Sequence, residues 1–284
     1  MSDKGMLYLI ATPIGNLDDM TFRGVKTLEM VDYVLAEDTR HSIKLMNHFE
    51  LSKKLVSYHE HNQYTKAQSI INDLENGINV GLVTDAGTPG ISDPGSYLVI
   101  LCQENDIPYT IIPGPVAFVN ALILSGQNTN RMIFDGFLPM KKKERQKRLD
   151  ILQTETRTII FYEAPHKLKN TLNDLLKAFG PDRSVSLVRE LTKRFEEVIK
   201  LSLKEANEYY KEVDPKGEFV IVLEGIDEAI LEEAKVKEFE EISLEDQMDK
   251  YLTEGLTKKE AIKQIAKDRG MNKRDVYSYF VEHS

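Results

Sequence analysis

Residues 81–95 read Gly81-Leu82-Val83-Thr84-Asp85-Ala86-Gly87-Thr88-Pro89-Gly90-Ile91-Ser92-Asp93-Pro94-Gly95. An apolar run stops at a carboxylate, and glycines and prolines follow before the next amphipathic segment. In an open α/β sheet such a carboxylate lies at the carboxyl end of a strand, where these folds bind ligands. Glycines there permit positive φ and close approach of a ligand to the backbone. Ser92 or Asp93 is expected to cap the following helix, with Pro94 in its first turn. Alone, the stretch fits either the rim of a small-molecule pocket or a structural βα turn.

The pattern recurs on either side. Leu7–Ala11 is a short apolar strand entering Thr12-Pro13-Ile14-Gly15-Asn16-Leu17-Asp18-Asp19, and a helical pattern runs on to Met30. Tyr33–Ala36 ends in Glu37-Asp38-Thr39-Arg40, with a helix to Phe49. Leu55–Tyr58 ends in His59-Glu60-His61-Asn62, with a helix to about Asn76. Ile78–Thr84 leads into the quoted loop, and Tyr109–Ile112 into Pro113-Gly114-Pro115-Val116-Ala117 and a helix to Gly126. This strict βα alternation predicts a mostly parallel sheet with helices on both faces and every polar loop on its carboxyl edge.

Beyond Gly126 the style changes. Met132–Leu138, Thr158–Tyr162, Val185–Arg189, Glu197–Leu201 and Glu218–Leu223 read as strands, with helices near 141–154, 166–179 and 203–212. A second α/β domain with a mixed sheet is expected. The boundaries drawn are 1–116, 117–226, a Glu- and Lys-rich connector at 227–243, and a helical unit at 244–284. In that last unit Leu244, Met248, Tyr251 and Leu252 share a helical face. Thr257-Lys258-Lys259-Glu260 is a capping box for a second helix, and Asn272 caps a third. Two short helices about a Gly-containing turn match helix-turn-helix spacing, with a plain three-helix cap as the alternative. Lys250–Ser284 holds eight Lys/Arg against five Asp/Glu, a local +3 in a chain of net charge −9.

The chain has 284 residues, 41% hydrophobic and 29% charged, an ordinary globular composition. No apolar run approaches the ~20 residues that cross a bilayer. The start lacks a signal peptide's basic and apolar regions, so a cytosolic location is expected. One cysteine, Cys102, precludes an intramolecular disulfide and reads as a small core residue. Net acidity argues against wholesale coating of nucleic acid but allows a local basic surface. Lys141–Arg148 carries six basic residues in eight, either a solvated helix face or a phosphate-binding stripe.

His59 and His61 would share a strand face, but no further His/Cys pair stands at ligand spacing, so no metal is expected. The first loop is not G-x-G-x-x-G and no Walker pattern occurs, which disfavours the usual dinucleotide and NTP sites. Phe161-Tyr162-Glu163-Ala164-Pro165-His166-Lys167 joins a strand to a helix. Glu163 and His166 there are candidate polar site residues, with Glu163 as plain support for a helix N-terminus the alternative.

Together, Leu9–Asp18, Ala36–Arg40, Ser57–Asn62, Asp85–Pro89, Ile112–Pro115, Asp135–Pro139 and Glu163–Lys167 resemble the ribosomal RNA small subunit methyltransferase I group, of the tetrapyrrole-methylase-like superfamily. The resemblance spans about residues 6–225, and the last segment is similar to the group's helix-turn-helix domain. It implies two α/β domains with S-adenosyl-L-methionine in a cleft between them, and a homodimer. It implies 2′-O-methylation of a cytidine ribose in the decoding region of 16S rRNA, on the assembled small ribosomal subunit, with no membrane partner. By the same resemblance Pro13, Asp85, Thr88, Val116, Ala117, Tyr162 and Gly217 would contact the cofactor. Val116 and Ala164 stand where the group often has Ser, so a hydroxyl contact at either position is not expected.

Methyl transfer from a sulfonium is an in-line displacement helped by alignment and by a base for the ribose hydroxyl. The base or its orienting partner is sought among Glu37, Asp38, His59 and Glu163. Arg40 could hold a phosphate bidentately, and His61, Lys273 and Arg274 are further candidates for RNA contact. Two rival readings are a tetrapyrrole methyltransferase and a ligand-sensing helix-turn-helix regulator. Against the first, the first loop, Thr12–Asp19, lacks that branch's glycine-rich sequence.

Overall fold

The computed structural model describes residues 4–240 and 242–282. Five strands lead: β1 (Leu7–Ile10), β2 (Tyr33–Ala36), β3 (Lys54–Ser57), β4 (Val80–Val83) and β5 (Tyr109–Ile112). Between them lie α1 (Phe22–Met30), α2 (Thr39–His48), α3 (Gln63–Glu75) and α4 (Ser96–Glu104). The strands form a parallel sheet in the order β3-β2-β4-β1-β5. Strand side chains alternate between faces, and the apolar residues here divide accordingly. Leu7, Leu9, Leu35 and Leu82 pack with Ile70 and Leu74 of α3 and with Leu98 and Cys102 of α4. Ile10, Val34, Ala36 and Val83 face the other way, toward Leu28 of α1 and Met46 of α2. Each large apolar side chain so buried contributes ~1.5–3 kcal/mol. A one-residue slip would exchange the two sets, so register is firmly fixed.

Some helix starts follow local capping chemistry and others do not. Thr21 caps α1 by accepting from Gly24 N–H, and Asp38 caps α2 by accepting from Arg40 N–H. The expected cap of α4 by Ser92 or Asp93, with Pro94 in its first turn, is not what forms. The helix begins at Ser96 behind Gly95, whose φ of 141° suits glycine alone, and no side chain caps it. Asp93 is thereby free to turn elsewhere.

After β5, α5 (Ala117–Ser125) carries the chain to a second sheet. That sheet contains β6 (Met132–Gly136), β7 (Thr158–Glu163), β8 (Ser184–Arg189), β9 (Glu197–Ser202) and β10 (Phe219–Leu223), in the order β6-β7-β10-β8-β9. β6 and β7 are parallel and the other pairs antiparallel, which makes the expected mixed sheet. Ala121 and Leu122 of α5 pack on Ile160, Val188, Val220 and Val222 from one face. Helices α6 (Lys142–Leu152), α7 (Pro165–Phe179) and α8 (Leu203–Glu212) complete this half, with α8 opened by a Ser202–Glu205 capping box. Both sheets belong to one compact unit, the described residues of 1–150 with 158–224.

The described residues of 151–157 and 225–284 form a second compact unit. It holds α9 (Glu228–Glu240), α10 (Leu244–Thr253), α11 (Lys258–Asp268) and α12 (Lys273–Glu282). Met248, Tyr251, Ile262, Ile265, Val276 and Phe280 make its core. The Thr257–Glu260 capping box forms, and Asn272 Oδ1 accepts from Arg274 N–H at 2.9 Å. Among the described residues no helix is long and apolar enough to cross a membrane.

Candidate active site

Backbone hydrogen bonds bring the polar loops of the first sheet to one edge. Thr12 and Gly87 exchange N–H···O bonds of 2.8 and 3.1 Å, which ties the loop after β1 to the loop after β4. The Thr88 hydroxyl donates to the Pro115 carbonyl at 3.3 Å, joining the loop after β5. Asp38 N–H donates to Asp85 Oδ1 at 3.1 Å, and Asp85 N–H approaches Glu37 Oε2 at 3.5 Å, joining the end of β2. Gly114 lies so close to Ala11 that a Cβ there would sit 2.9 Å from the alanine's own. The loops are mutually braced, not independent turns.

Against this edge stand the carboxyl end of β7 and the start of β10, enclosing a cavity of about 540 Å³ within the first unit. Its walls include Ile14, Thr88, Val116, Phe137, Tyr162 and Val220. That volume falls in the usual range of small-molecule sites. Five carboxyl side chains line it: Glu37, Asp85, Asp93, Glu163 and Glu218. No lysine or arginine is among the residues lining it. Phosphate-rich ligands require cationic or N–H-rich cradles. This cavity instead suits a ligand that carries positive charge.

The carboxyls are differently held. Both Glu163 oxygens are engaged, one by Ala164 N–H at 2.9 Å and the other by the Thr171 hydroxyl. Asp85 Oδ1 accepts from Asp38 N–H, and its Oδ2 lies 3.3 Å from His41 Nδ1. Glu218 pairs with Lys193 at 2.9 Å. Burial raises Glu37 above the ordinary carboxylate range, with Asp85 adding to the rise and the Asp85 N–H and His59 opposing it. Burial also drives Asp93 up to about 7, assisted by the charges of Glu37 and Asp85. Tyr162 accepts from Phe118 N–H at 3.2 Å, and burial pushes its phenol up.

The residues singled out from the sequence separate into groups. Asp85, Thr88, Val116, Ala117, Tyr162, Glu37 and Glu163 all line the cavity. Pro13 is buried beside the Thr12–Gly87 bridge, just behind the wall. Gly217 precedes the lining residue Glu218, and a Cβ on it would come within 2.4 Å of Glu190 Cγ. Asp38 and Arg40 hold each other at the α2 N-terminus in a 2.6 Å pair. That arginine keeps Asp38 well below the usual carboxylate range. His59 is not a wall residue; its Nε2 lies 3.1 Å from Asn62 Nδ2, while its buried Nδ1 has no hydrogen-bond partner among the described residues. His61 is exposed and edge-on to His59 at 5.9 Å. Lys273 and Arg274 are exposed on α12 of the second unit.

Sequence reading missed Asp93, Phe137 and Glu218 as cavity residues. For Asp93 a signal existed: a second carboxylate eight positions after Asp85 in the same glycine- and proline-rich loop. Phe137 lies inside the Asp135–Pro139 motif and Glu218 directly follows Gly217, but neither was singled out, since each reaches the cavity only through packing of the two sheets.

Residues 6–207 match the family model of tetrapyrrole (corrin/porphyrin) methylases. The ribosomal RNA small subunit methyltransferase I of Halalkalibacterium halodurans is 48% identical over 98% of this chain and 95% of its own. The protein of the same name from a Synechocystis species is 46% identical over 98% of both. Among solved structures, a uroporphyrin-III-C-methyltransferase from Thermus thermophilus superposes with a TM-score of 0.56 at 18% identity. It covers 77% of this chain and 94% of that one, a likeness of fold.

Proposed function

The chain belongs to the tetrapyrrole (corrin/porphyrin) methylase family and to its ribosomal RNA small subunit methyltransferase I group, and from that membership we propose that it methylates a ribose 2′-hydroxyl of 16S rRNA in the small ribosomal subunit. It is an S-adenosylmethionine-dependent methyltransferase. The target we propose is the decoding-region cytidine numbered 1402. The observation that carries the cofactor reading is the acidic cavity with no lysine or arginine in its lining. When bound, S-adenosylmethionine supplies a methyl group on a positively charged sulfur, and carboxylates complement that charge.

Asp85 and Thr88 would hold the cofactor from the loop after β4, with Val116 and Ala117 at the start of α5 and Tyr162 at the end of β7. Pro13 and Gly217 would act by shaping the backbone behind those contacts. Tyr162, fixed through Phe118 N–H, is a rigid wall against which a ligand stays aligned. Glu163 is bound on both oxygens, so its part is to brace the loop into α7. Glu37 faces the cavity and would orient the acceptor side, with Asp38 and His59 steadying the strand ends around it.

RNA would be met at several surfaces. Arg40 is exposed at the α2 N-terminus, and Lys142, Lys143 and Lys147 are exposed on α6. In the same run Arg145 turns inward to Asp174 and Thr171, and Arg148 to Asp135, so only part of that basic stretch is available. His61, Lys273 and Arg274 would add contacts, the last two by docking the helical unit on the ribosomal surface. The family resemblance also supports a homodimer acting in the cytoplasm.

Incubation with methyl-labelled S-adenosylmethionine and unmodified small subunits tests the proposal. Label in 16S rRNA supports it. Label only in an added tetrapyrrole, or binding without turnover, refutes it in favour of a pigment methylase or a ligand sensor.

A further inference from the structure

We propose that Asp93 is the general base that takes the proton from the acceptor hydroxyl. The proposal rests on the reading that the substrate is a ribose hydroxyl, and it identifies the group that the reaction needs.

The cavity contains five carboxyl side chains; three are firmly engaged, Glu37 has one long contact, and Asp93 has none among the described residues. Glu163 is closed by Ala164 N–H and the Thr171 hydroxyl, and Glu218 is paired with Lys193. Asp85 is spent on Asp38 N–H and His41, and Glu37 meets only the Asp85 N–H, at 3.5 Å and on one oxygen. Asp93 alone has no hydrogen bond or ion pair among the described residues. Its loop explains why. The sequence Ser92-Asp93-Pro94-Gly95 imitates a helix cap, yet Gly95 fills that role and Ser92 sits at φ 61°, an uncommon conformation for a non-glycine residue. The backbone thus turns the carboxyl into the cavity instead of onto the waiting N–H groups of α4.

A base must be able to take up a proton near neutral pH, and its partners decide that. Asp93 is faced by Glu37 from the end of β2, Asp85 from the end of β4 and Tyr162 from the end of β7, with Glu163 and His166 further along the wall. Desolvation and two like charges all favour the protonated acid, which is why Asp93 lies at about 7. Glu37 and Asp85 act through it, by raising its basicity.

The step balances simply. The hydroxyl oxygen forms a bond to the methyl carbon, the S–C bond breaks with its electron pair left on sulfur, and the hydroxyl proton passes to Asp93. The product acid has lost a neighbouring positive charge, since the sulfonium has become a neutral thioether. Asp93 then returns its proton to water.

The test compares wild type, Asp93→Asn and Asp93→Glu on unmodified small subunits in single turnover across pH. Calorimetry of S-adenosylmethionine binding and infrared titration of the cofactor-free proteins accompany it. Wild type should show a rate that rises with pH and levels off, its midpoint at or below about 7 because bound positive charge favours the carboxylate. The infrared band of a protonated carboxyl should titrate near 7 in wild type and be missing in Asp93→Asn. Asp93→Asn should lose about 10²-fold or more in rate together with the rising limb. Its cofactor Kd should stay within about threefold of wild type, less than 1 kcal/mol. Asp93→Glu should recover part of the rate and the limb. Full activity in Asp93→Asn with the limb intact would overturn the proposal. A loss of cofactor affinity matching the loss of rate would also overturn it, by making Asp93 a charge partner of the cofactor. If wild type itself leaves RNA unlabelled, the reading of the substrate fails first, and the infrared titration still reports whether Asp93 is the raised carboxyl.

Discussion

Replacing Asp93 by Asn should make the protein more stable in mildly alkaline solution while costing it activity. An aspartate ordinarily titrates at 3.8, and in the fold Asp93 titrates at about 7. Between those values the folded chain binds more protons than the unfolded one, so unfolding free energy falls as pH rises through the window. Above it the full cost of holding the ionised group is present. Each tenfold change in acidity is worth ~1.4 kcal/mol, which sets a ceiling of about 4 kcal/mol, and water at the cavity mouth reduces it to about 1–3 kcal/mol. Asparagine has nearly the same shape and no charge, so this pH-dependent contribution disappears. Urea midpoints followed by circular dichroism should coincide for the two proteins near about pH 4 and separate steadily toward about pH 8, with Asp93→Asn the more stable. A gap that does not vary with pH, or one that favours wild type at about pH 8, would refute the burial argument.

Other perturbations probe the frame around the cavity and the surfaces beyond it. Thr171→Val removes the hydroxyl that closes buried Glu163 and should cost about 1–3 kcal/mol in urea unfolding, because a buried acceptor is left unpaired. Gly114→Ala should cost a similar ~1–3 kcal/mol and weaken cofactor binding, since its Cβ would sit 2.9 Å from that of Ala11 and push the loop after β5 outward. Changing Lys142, Lys143 and Lys147 to Gln should lower affinity for the small subunit and flatten its dependence on salt, measured by filter binding over a range of ionic strength. Removal of residues 244–284 should weaken subunit binding and leave the calorimetric affinity for S-adenosylmethionine intact, because that affinity belongs to the first compact unit.

Much of the first sheet was legible because local and global signals agree there. Short, nearly continuous apolar strands alternate with helices, and each strand ends in a polar loop, so parallel pairing and a shared edge follow from order alone. The loop at 81–95 was harder. Asp93-Pro94 carries a strong helix-start pattern, and only the φ of Gly95 decides against it. A Cβ at Gly95 would also lie 3.0 Å from Leu82 Cδ2 and 3.3 Å from Gly90 N, a tertiary constraint that the local pattern does not contain. His59 illustrates a different limit: proximity to a strand end does not fix ring orientation, and Asn62 turns the imidazole aside. The acidic cavity was not legible as such. Glu37 and Glu163 lie on different sheets, and their meeting is a product of how α5 carries the chain from one to the other. Even so, most of the residues that resemblance marked for the cofactor line this one cavity, because a family motif records tertiary proximity that periodicity cannot.

Ribose-methylation mapping of small-subunit RNA provides the most direct test of the central claim, comparing cells that carry this protein with cells that lack it. One 2′-O-methylated cytidine in the decoding region should vanish without the protein and return with wild type. A 16S rRNA methylation pattern that is identical with and without the protein would contradict the account.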